Sequence, residues 1–405
     1  MSKKSEAVHT EKGEGTKVLQ IVWADPAMYL ATIFTAQMLS ERGISVELVY
    51  RKPAPYMDVA GEVNFGGRTR LRPIGGGHTG WRDKIDFAVF LFTAIALVWR
   101  NKPDVVIGYN MLGIAVAFLA TRLRPKTTLI YHNFDFNVAL EKTFSLLGRL
   151  FQSLELAGAR YADLVIFPHP GRAAVFKDEA KLDREPVTVM NCYPLSTPKQ
   201  RTGELQSLLD SKGLRFDRLI VRLGMIGPYH GIEATIRSVL EWKGNWGLIL
   251  AGFPDEGSYM DEMQELVQNL DLSKKVVFLP SVSYSLWYDC LYSAHLGISL
   301  YEPFNVSHTY MSGTAQKLNN YFVAGIPSIV SNSPDFVTFV ERFGTSKLAD
   351  PTDPHSIAQA VNSLLCNPEE YAAYCRNVRN AFESGFNFER QFEPVLNKLL
   401  QGSKN

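Results

Sequence analysis

Short apolar runs alternate with amphipathic stretches along almost the whole chain. Residues 17–23 (KVLQIVW) form a β-type run that Asp25 and Pro26 break. Apolar residues then recur at helical spacing over 28–42 until Gly43, and 45–50 is apolar again. This β-α-β order is the unit of a parallel sheet covered on both faces. Runs at 104–109 (DVVIGY), 127–131, 163–167 (DLVIF) and 188–190, each beside a helix-like stretch, extend one open α/β domain over 17–195.

The interval 196–216, rich in Lys, Thr, Gln and Ser, lacks strand character and reads as a linker. A second βαβα series fills 217–385, with strands expected at 219–223, 246–251, 276–279, 296–300 and 328–331 and helices at 232–242, 259–270 and 316–323. Apolar residues return at helical spacing in 386–400 (Phe388, Phe392, Val395, Leu399). The fold class is α/β, two Rossmann-like doubly wound parallel sheets, with ligands expected outside the strand C-termini.

Composition narrows this. A chain of 405 residues exceeds one ordinary core, and 46% hydrophobic with 20% charged residues is globular rather than disordered. A formal net charge of +1 argues against a general nucleic-acid binder. Residues 51–126 nevertheless carry twelve Lys/Arg against five Asp/Glu, suiting a phosphate-bearing acceptor, an anionic membrane surface or simply solvated faces. Four scattered cysteines make neither a zinc site nor a disulfide framework, which fits a reducing cytoplasm. Residues 1–16 read as a polar, disordered lead without a signal-peptide core. The most apolar run, 87–99, has thirteen residues against the roughly twenty that span a bilayer. It reads as a buried helix, with a peripheral membrane-docking face as the alternative.

The chemistry concentrates in 297–331, GISLYEPFNVSHTYMSGTAQKLNNYFVAGIPSIVS. A strand enters a Ser/Gly/Thr-rich loop, Lys317 opens a helix, and Gly325 with Pro327 ends it. Backbone N–H groups at Ser312, Gly313, Thr314 and Ala315, with the Lys317 charge, suit a diphosphate; a routine capped helix also fits.

The run KLNNYFVAGIPSIVS resembles the KLxEYLAxGKPVVS signature of the retaining family 4 of GT-B glycosyltransferases. That resemblance implies two Rossmann-like domains facing across a cleft, with the nucleotide-sugar donor held by the C-terminal one. Lys317 falls on the signature Lys, and Asn320 stands where the family carries the ribose-holding Glu. VRLGMIGPYHG resembles the first donor-domain loop and implies donor-phosphate contacts from Arg222, Gly224 and His230, the imidazole being protonated beside phosphate. LILAGFPDEG and VVFLPSVSYSLWYDCL resemble segments that imply base contacts from Gly252, Ser281, Val282 and Ser283.

In the N-terminal half, TTLIYHNFDF places His132 and Asp135 just past a strand end, where the family carries a His near the transferred sugar. Lys317, His132 and Asp135 are thus the catalytic candidates. The resemblance further implies a hydroxyl acceptor on a glycan or lipid-linked precursor, retention of configuration, domain closure, and no metal or other cofactor, since no Asp-x-Asp motif is present. It also implies that the final helix, within 386–405, crosses back onto the N-terminal domain. Two rivals remain: a catalytically weakened subunit that serves a partner transferase, suggested by Asn320, and a different enzyme on this fold such as an epimerase or phosphorylase.

Overall fold

A computed structural model of the chain describes residues 15–52, 63–78, 80–122, 124–134, 145–199, 201–254, 258–280 and 282–402. The chain divides into two compact units, Met1–Val189 with Phe392–Asn405, and Met190–Gln391.

The first unit alternates strand and helix except where β3 follows β2: β1 (Lys17–Val22), α1 (Leu30–Glu41), β2 (Ser45–Arg51), β3 (Thr69–Ile74), α2 (Trp81–Asn101), β4 (Val105–Tyr109), α3 (Asn110–Thr121), β5 (Thr128–His132), α4 (Leu146–Tyr161), β6 (Leu164–Phe167), α5 (Pro170–Ala180) and β7 (Val187–Thr188). Its strands pair in parallel in the order β3-β2-β1-β4-β5-β6-β7. The central strands are buried on both faces, as their continuous Val/Ile/Leu runs require. β3 was not expected: it is an edge strand whose TRLRPI sequence alternates charge with apolar side chains.

The helix expected as buried over 87–99 is α2, but only Phe90, Ala94, Leu97 and Val98 of it are buried. That expectation is corrected, because the opposite face of the helix is apolar and exposed.

The second unit contains α6 (Glu204–Ser211), β8 (Arg218–Leu223), α7 (Ile232–Ser238), β9 (Trp246–Gly252), α8 (Tyr259–Asn269), β10 (Val276–Pro280), α9 (Tyr284–Ser293), β11 (Leu296–Ser299), α10 (Val306–Thr309), α11 (Gln316–Ala324), β12 (Ser328–Ser331), α12 (Pro334–Phe343), β13 (Ser346–Ala349), α13 (Pro354–Leu365) and α14 (Pro368–Ser384). Its parallel order is β10-β9-β8-β11-β12-β13. The stretch 196–216, expected as a linker, holds α6; the Asp289 carboxylate accepts the N–H groups of Thr202, Gly203 and Leu205 and fastens its start to α9. The last helix, α15 (Phe388–Gly402), buries Phe388, Phe392, Val395 and Leu399, and its residues from Phe392 onward group with the first unit.

Candidate functional site

In the second unit the strand order reverses between β8 and β11, and in an open parallel sheet a crevice opens at the C-terminal ends of the two strands flanking such a reversal. The chain places its cations there. Arg222 is the penultimate residue of β8, and Lys317 lies in the first turn of α11, the crossover helix after β11. Tyr321, one turn on from Lys317 and on the same face, donates its hydroxyl to the carbonyls of Val221 (3.1 Å) and Ile298 (2.9 Å). Those bonds pin α11 across β8 and β11, while Gly297 leaves room for the ring; a Cβ there would lie 2.3 Å from Tyr321 Cδ2. The Lys317 ammonium is carried over the strand ends as a result.

Both cations are buried without a carboxylate partner among the described residues. Lys317, 8% exposed, donates through Nζ to the Tyr301 hydroxyl at 3.0 Å and lies 4.8 Å from the centre of that ring. Arg222, 1% exposed, gives one nitrogen to the Gly224 carbonyl (3.1 Å), and its Nη2 has no partner among the described residues. Burial and then the Arg222 charge hold the Lys317 ammonium well below its ordinary range. Two like charges buried together without an acid are costly, and a bound anion is the usual resolution.

His230 stands beside them, its ring edge-on to Tyr301 at 5.4 Å and 5.5 Å from His308, with Nδ1 unpartnered. Burial first, then the charges of Lys317 and Arg222, push its pKa down to about 2. The protein by itself holds the imidazole neutral, chiefly through burial; the protonated form was expected of an imidazole beside phosphate.

Gly224 and Gly252 close the floor. Gly252, at φ 151°, approaches Gly224 so closely that an added Cβ would lie 2.1 Å from the Gly224 carbonyl oxygen. Gly224 adopts φ 106°, and a Cβ there would press on Lys317 Cε at 3.3 Å.

The loop before α11 differs from the expected cradle. Asp335, in the first turn of α12, accepts the N–H groups of Met311 (2.9 Å) and Ser312 (2.8 Å) through Oδ2, and the Ser312 hydroxyl through Oδ1. The N–H groups of Thr314 and Ala315 turn back to the Met311 carbonyl. Three of the four expected amides are therefore engaged within the protein. The start of α11, which no side chain caps, lies next to Lys317 and presents the positive end of the helix instead.

Asn320 is 1% exposed; its Oδ1 accepts from the Tyr193 hydroxyl at 2.8 Å, while Nδ2 is unpartnered. An amide already engaged through its oxygen offers a ligand donors rather than an acceptor. Ser283 uses its hydroxyl to cap α9, accepting from Leu286 N at 3.1 Å, with Val282 half-buried beside it. Ser281 and Asp135 lie outside the described residues. Tyr301, Asp335 and Tyr193 were missed in the sequence, where nothing local joins them to Lys317, Ser312 or Asn320.

In the first unit His132 ends β5, 1% exposed, its ring 5.3 Å from that of Tyr109. Neither ring nitrogen has a partner among the described residues, and burial lowers its pKa to about 3. A neutral imidazole with both nitrogens idle at a strand C-terminus is equipped to meet a ligand hydroxyl. Beneath it, Asn133 donates to the Tyr131 hydroxyl (2.8 Å), which donates to the buried Glu155. Among the described residues no group of His, Cys, Asp and Glu is placed to hold a metal ion.

Two family models match the chain, a glycosyl transferase 4-like domain over residues 35–192 and glycosyl transferases group 1 over residues 214–381. A UDP-N-acetylglucosamine–N-acetylmuramyl-(pentapeptide) pyrophosphoryl-undecaprenol N-acetylglucosamine transferase of Chlorobium luteolum is 35% identical over 124 residues; the match spans 28% of this chain and 34% of that protein's length. Among solved structures, sucrose-phosphate synthase from Thermosynechococcus elongatus is similar at a TM-score of 0.69 and 18% identity, covering 95% of this chain and 98% of that one. Anabaena HepE in complex with UDP is similar at 0.71 and 14% identity, covering 95% and 100%.

Proposed function

The chain belongs to the family 4-like glycosyltransferases of GT-B fold, and from that premise we propose that it takes its sugar from a nucleoside-diphosphate donor whose diphosphate rests on Lys317 and Arg222. The observation that carries this is the burial of those two cations, with no carboxylate partner among the described residues, at the reversal point of the second sheet. The solved HepE complex holds UDP on the same fold, which supports a uridine nucleotide as the first donor to try.

Breaking the sugar–phosphate bond moves negative charge onto the departing diphosphate. Lys317, Arg222 and the uncapped start of α11 stabilise that charge in place, so the step needs no divalent cation. Bound diphosphate favours the Lys317 ammonium and raises the His230 pKa, because opposite charge favours the protonated forms. His230 then donates to a phosphate oxygen. Gly224 and Gly252 keep the floor low enough for the nucleotide, the backbone of residues 281–283 meets the base, Asn320 Nδ2 donates to a ribose oxygen, and Gly313 with its neighbours flanks the phosphates. In the N-terminal unit His132 hydrogen-bonds the sugar, with Asp135 toward the acceptor. The acceptor is a hydroxyl of a glycan or lipid-linked precursor. The leaving phosphate takes its proton, and configuration is retained.

Titration calorimetry of the full chain with UDP, GDP and ADP tests this. One nucleotide binds, and Lys317→Met weakens it by about tenfold or more while the circular dichroism spectrum is unchanged. Equal binding by the variant would sink the assignment. Product anomers read by NMR test retention, and turnover unchanged by EDTA tests metal independence. The engagement of Asn320 by Tyr193 favours one second reading, a subunit that binds nucleotide without turning it over; binding with no sugar transfer to any acceptor would establish it.

A further inference from the structure

The outward face of α2 is apolar from end to end. Trp81 (66% exposed), Ile85 (52%), Val89 (48%), Phe92 (69%) and Trp99 (50%) recur at three-, four- and seven-residue steps, one stripe along about 27 Å of helix. The buried residues of α2 occupy the other side, so both faces are apolar for different reasons. A second exposed apolar group stands on α4, at Leu146 (86%), Leu147 (50%) and Leu150 (53%), and the two helices meet on their inner sides, where the Phe87 and Phe151 rings lie 5.0 Å apart. Single exposed apolar residues are ordinary, but a stripe running the length of one helix, with a second exposed group on a helix that it meets, marks an interface.

Charge selects the occupant. Arg82, Lys84, Arg100 and Arg149 flank the stripe, all exposed. The acids of the two helices are withdrawn from it: Asp83 pairs with Arg51 (2.8 Å), Asp86 with His78 (3.0 Å), and Glu155 is buried. Tryptophans at both ends, aliphatic and phenyl side chains between and cations along the borders match the boundary between lipid headgroups and acyl chains. No helix among the described residues is long and apolar enough to cross a membrane, so α2 would lie along the surface.

We propose that the α2–α4 face docks the enzyme on an anionic lipid surface, with the apolar stripe sunk among the acyl-chain ends and the arginines and Lys84 against headgroup phosphates. The docking stands apart from the donor-site reading; only its use in presenting a lipid-linked acceptor rests on that reading.

Flotation of the full chain with vesicles tests it without any sugar transfer. Wild type floats with vesicles of phosphatidylglycerol and phosphatidylethanolamine, and about 0.5 M salt or neutral phosphatidylcholine lowers the bound fraction several-fold. Phe92→Asp with Leu150→Asp abolishes flotation, and Arg82→Glu with Lys84→Glu reduces it at least about fivefold. Nucleotide titration, which reads the other unit, and the melting curve stay at wild-type values, so loss of folding is told apart from loss of docking. Failure of the wild type to float, or flotation of the Asp variant at wild-type levels, overturns the proposal. So does a wild-type dimer in sedimentation that the Asp variant converts to monomer without vesicle binding, which would make a second copy the occupant.

Discussion

The side chains of the first unit set a pH response that can be read group by group. Burial raises the Glu155 pKa to about 7, so the folded chain holds that proton at pH values where the unfolded chain has released it. Its contribution is complete below the ordinary carboxylate pKa of about 4.5 and is lost as pH rises through 7, a change on the order of 3 kcal/mol. Buried His132 acts in the opposite sense: its lowered pKa costs stability as pH falls from about 6.5 toward 3. The two slopes oppose each other where they overlap. Chemical denaturation of Glu155→Gln across pH 4 to 8 is therefore expected to show stability rising with pH through the range where wild type is flatter. In the second unit, Gly252→Ala drives a methyl group into the Gly224 carbonyl and is expected to cost about 3 kcal/mol or more, or to prevent folding, by urea titration. Lys317 stands out in the sequence because it opens a helix after a Ser/Gly/Thr-rich loop, and Arg222 and His230 because VRLGMIGPYHG resembles a donor-domain loop. Their partners could not, since a hydrogen bond such as Asp335 to Ser312 joins residues 23 apart through tertiary packing alone.

At the scale of elements, the strands buried on both faces were legible because desolvation favours continuous apolar runs, as in DLVIF and WGLILA. The edge strands β3 and β13 escaped for the converse reason: one side of each meets solvent, and TRLRPI and SKLA carry the cations that keep an edge from pairing with other chains. The run 87–99 was rightly too short to span a bilayer, yet its composition could not say which side of the helix would be covered. α6 was lost inside a polar stretch because its helical signal is one turn of three leucines, Leu205, Leu208 and Leu209, and its anchor is remote. Asp289→Ala leaves three backbone donors at the start of α6 without an acceptor, and a loss of about 2–3 kcal/mol is expected from the unfolding of the second unit, measurable by thermal or urea melting.

The whole chain carries two cores that differ in how their sequence is assembled. The second unit is one continuous segment, whereas the first takes its final packing residues from the far end of the chain. Phe392, Val395 and Leu399 are buried in α15, and Lys398 donates to the Asp163 carbonyl at 3.1 Å. Phe392→Ala is expected to cost about 3–5 kcal/mol and to lower the melting transition of the first unit more than that of the second, with calorimetry separating the two. During synthesis this arrangement inverts the usual order. The segment made earlier waits, the apolar surface that α15 covers still exposed, until α15 has left the ribosome, while the later-made half can finish folding on its own. Translation arrested shortly before Phe392 should yield nascent chains in which the first unit is digested by protease and the second resists it.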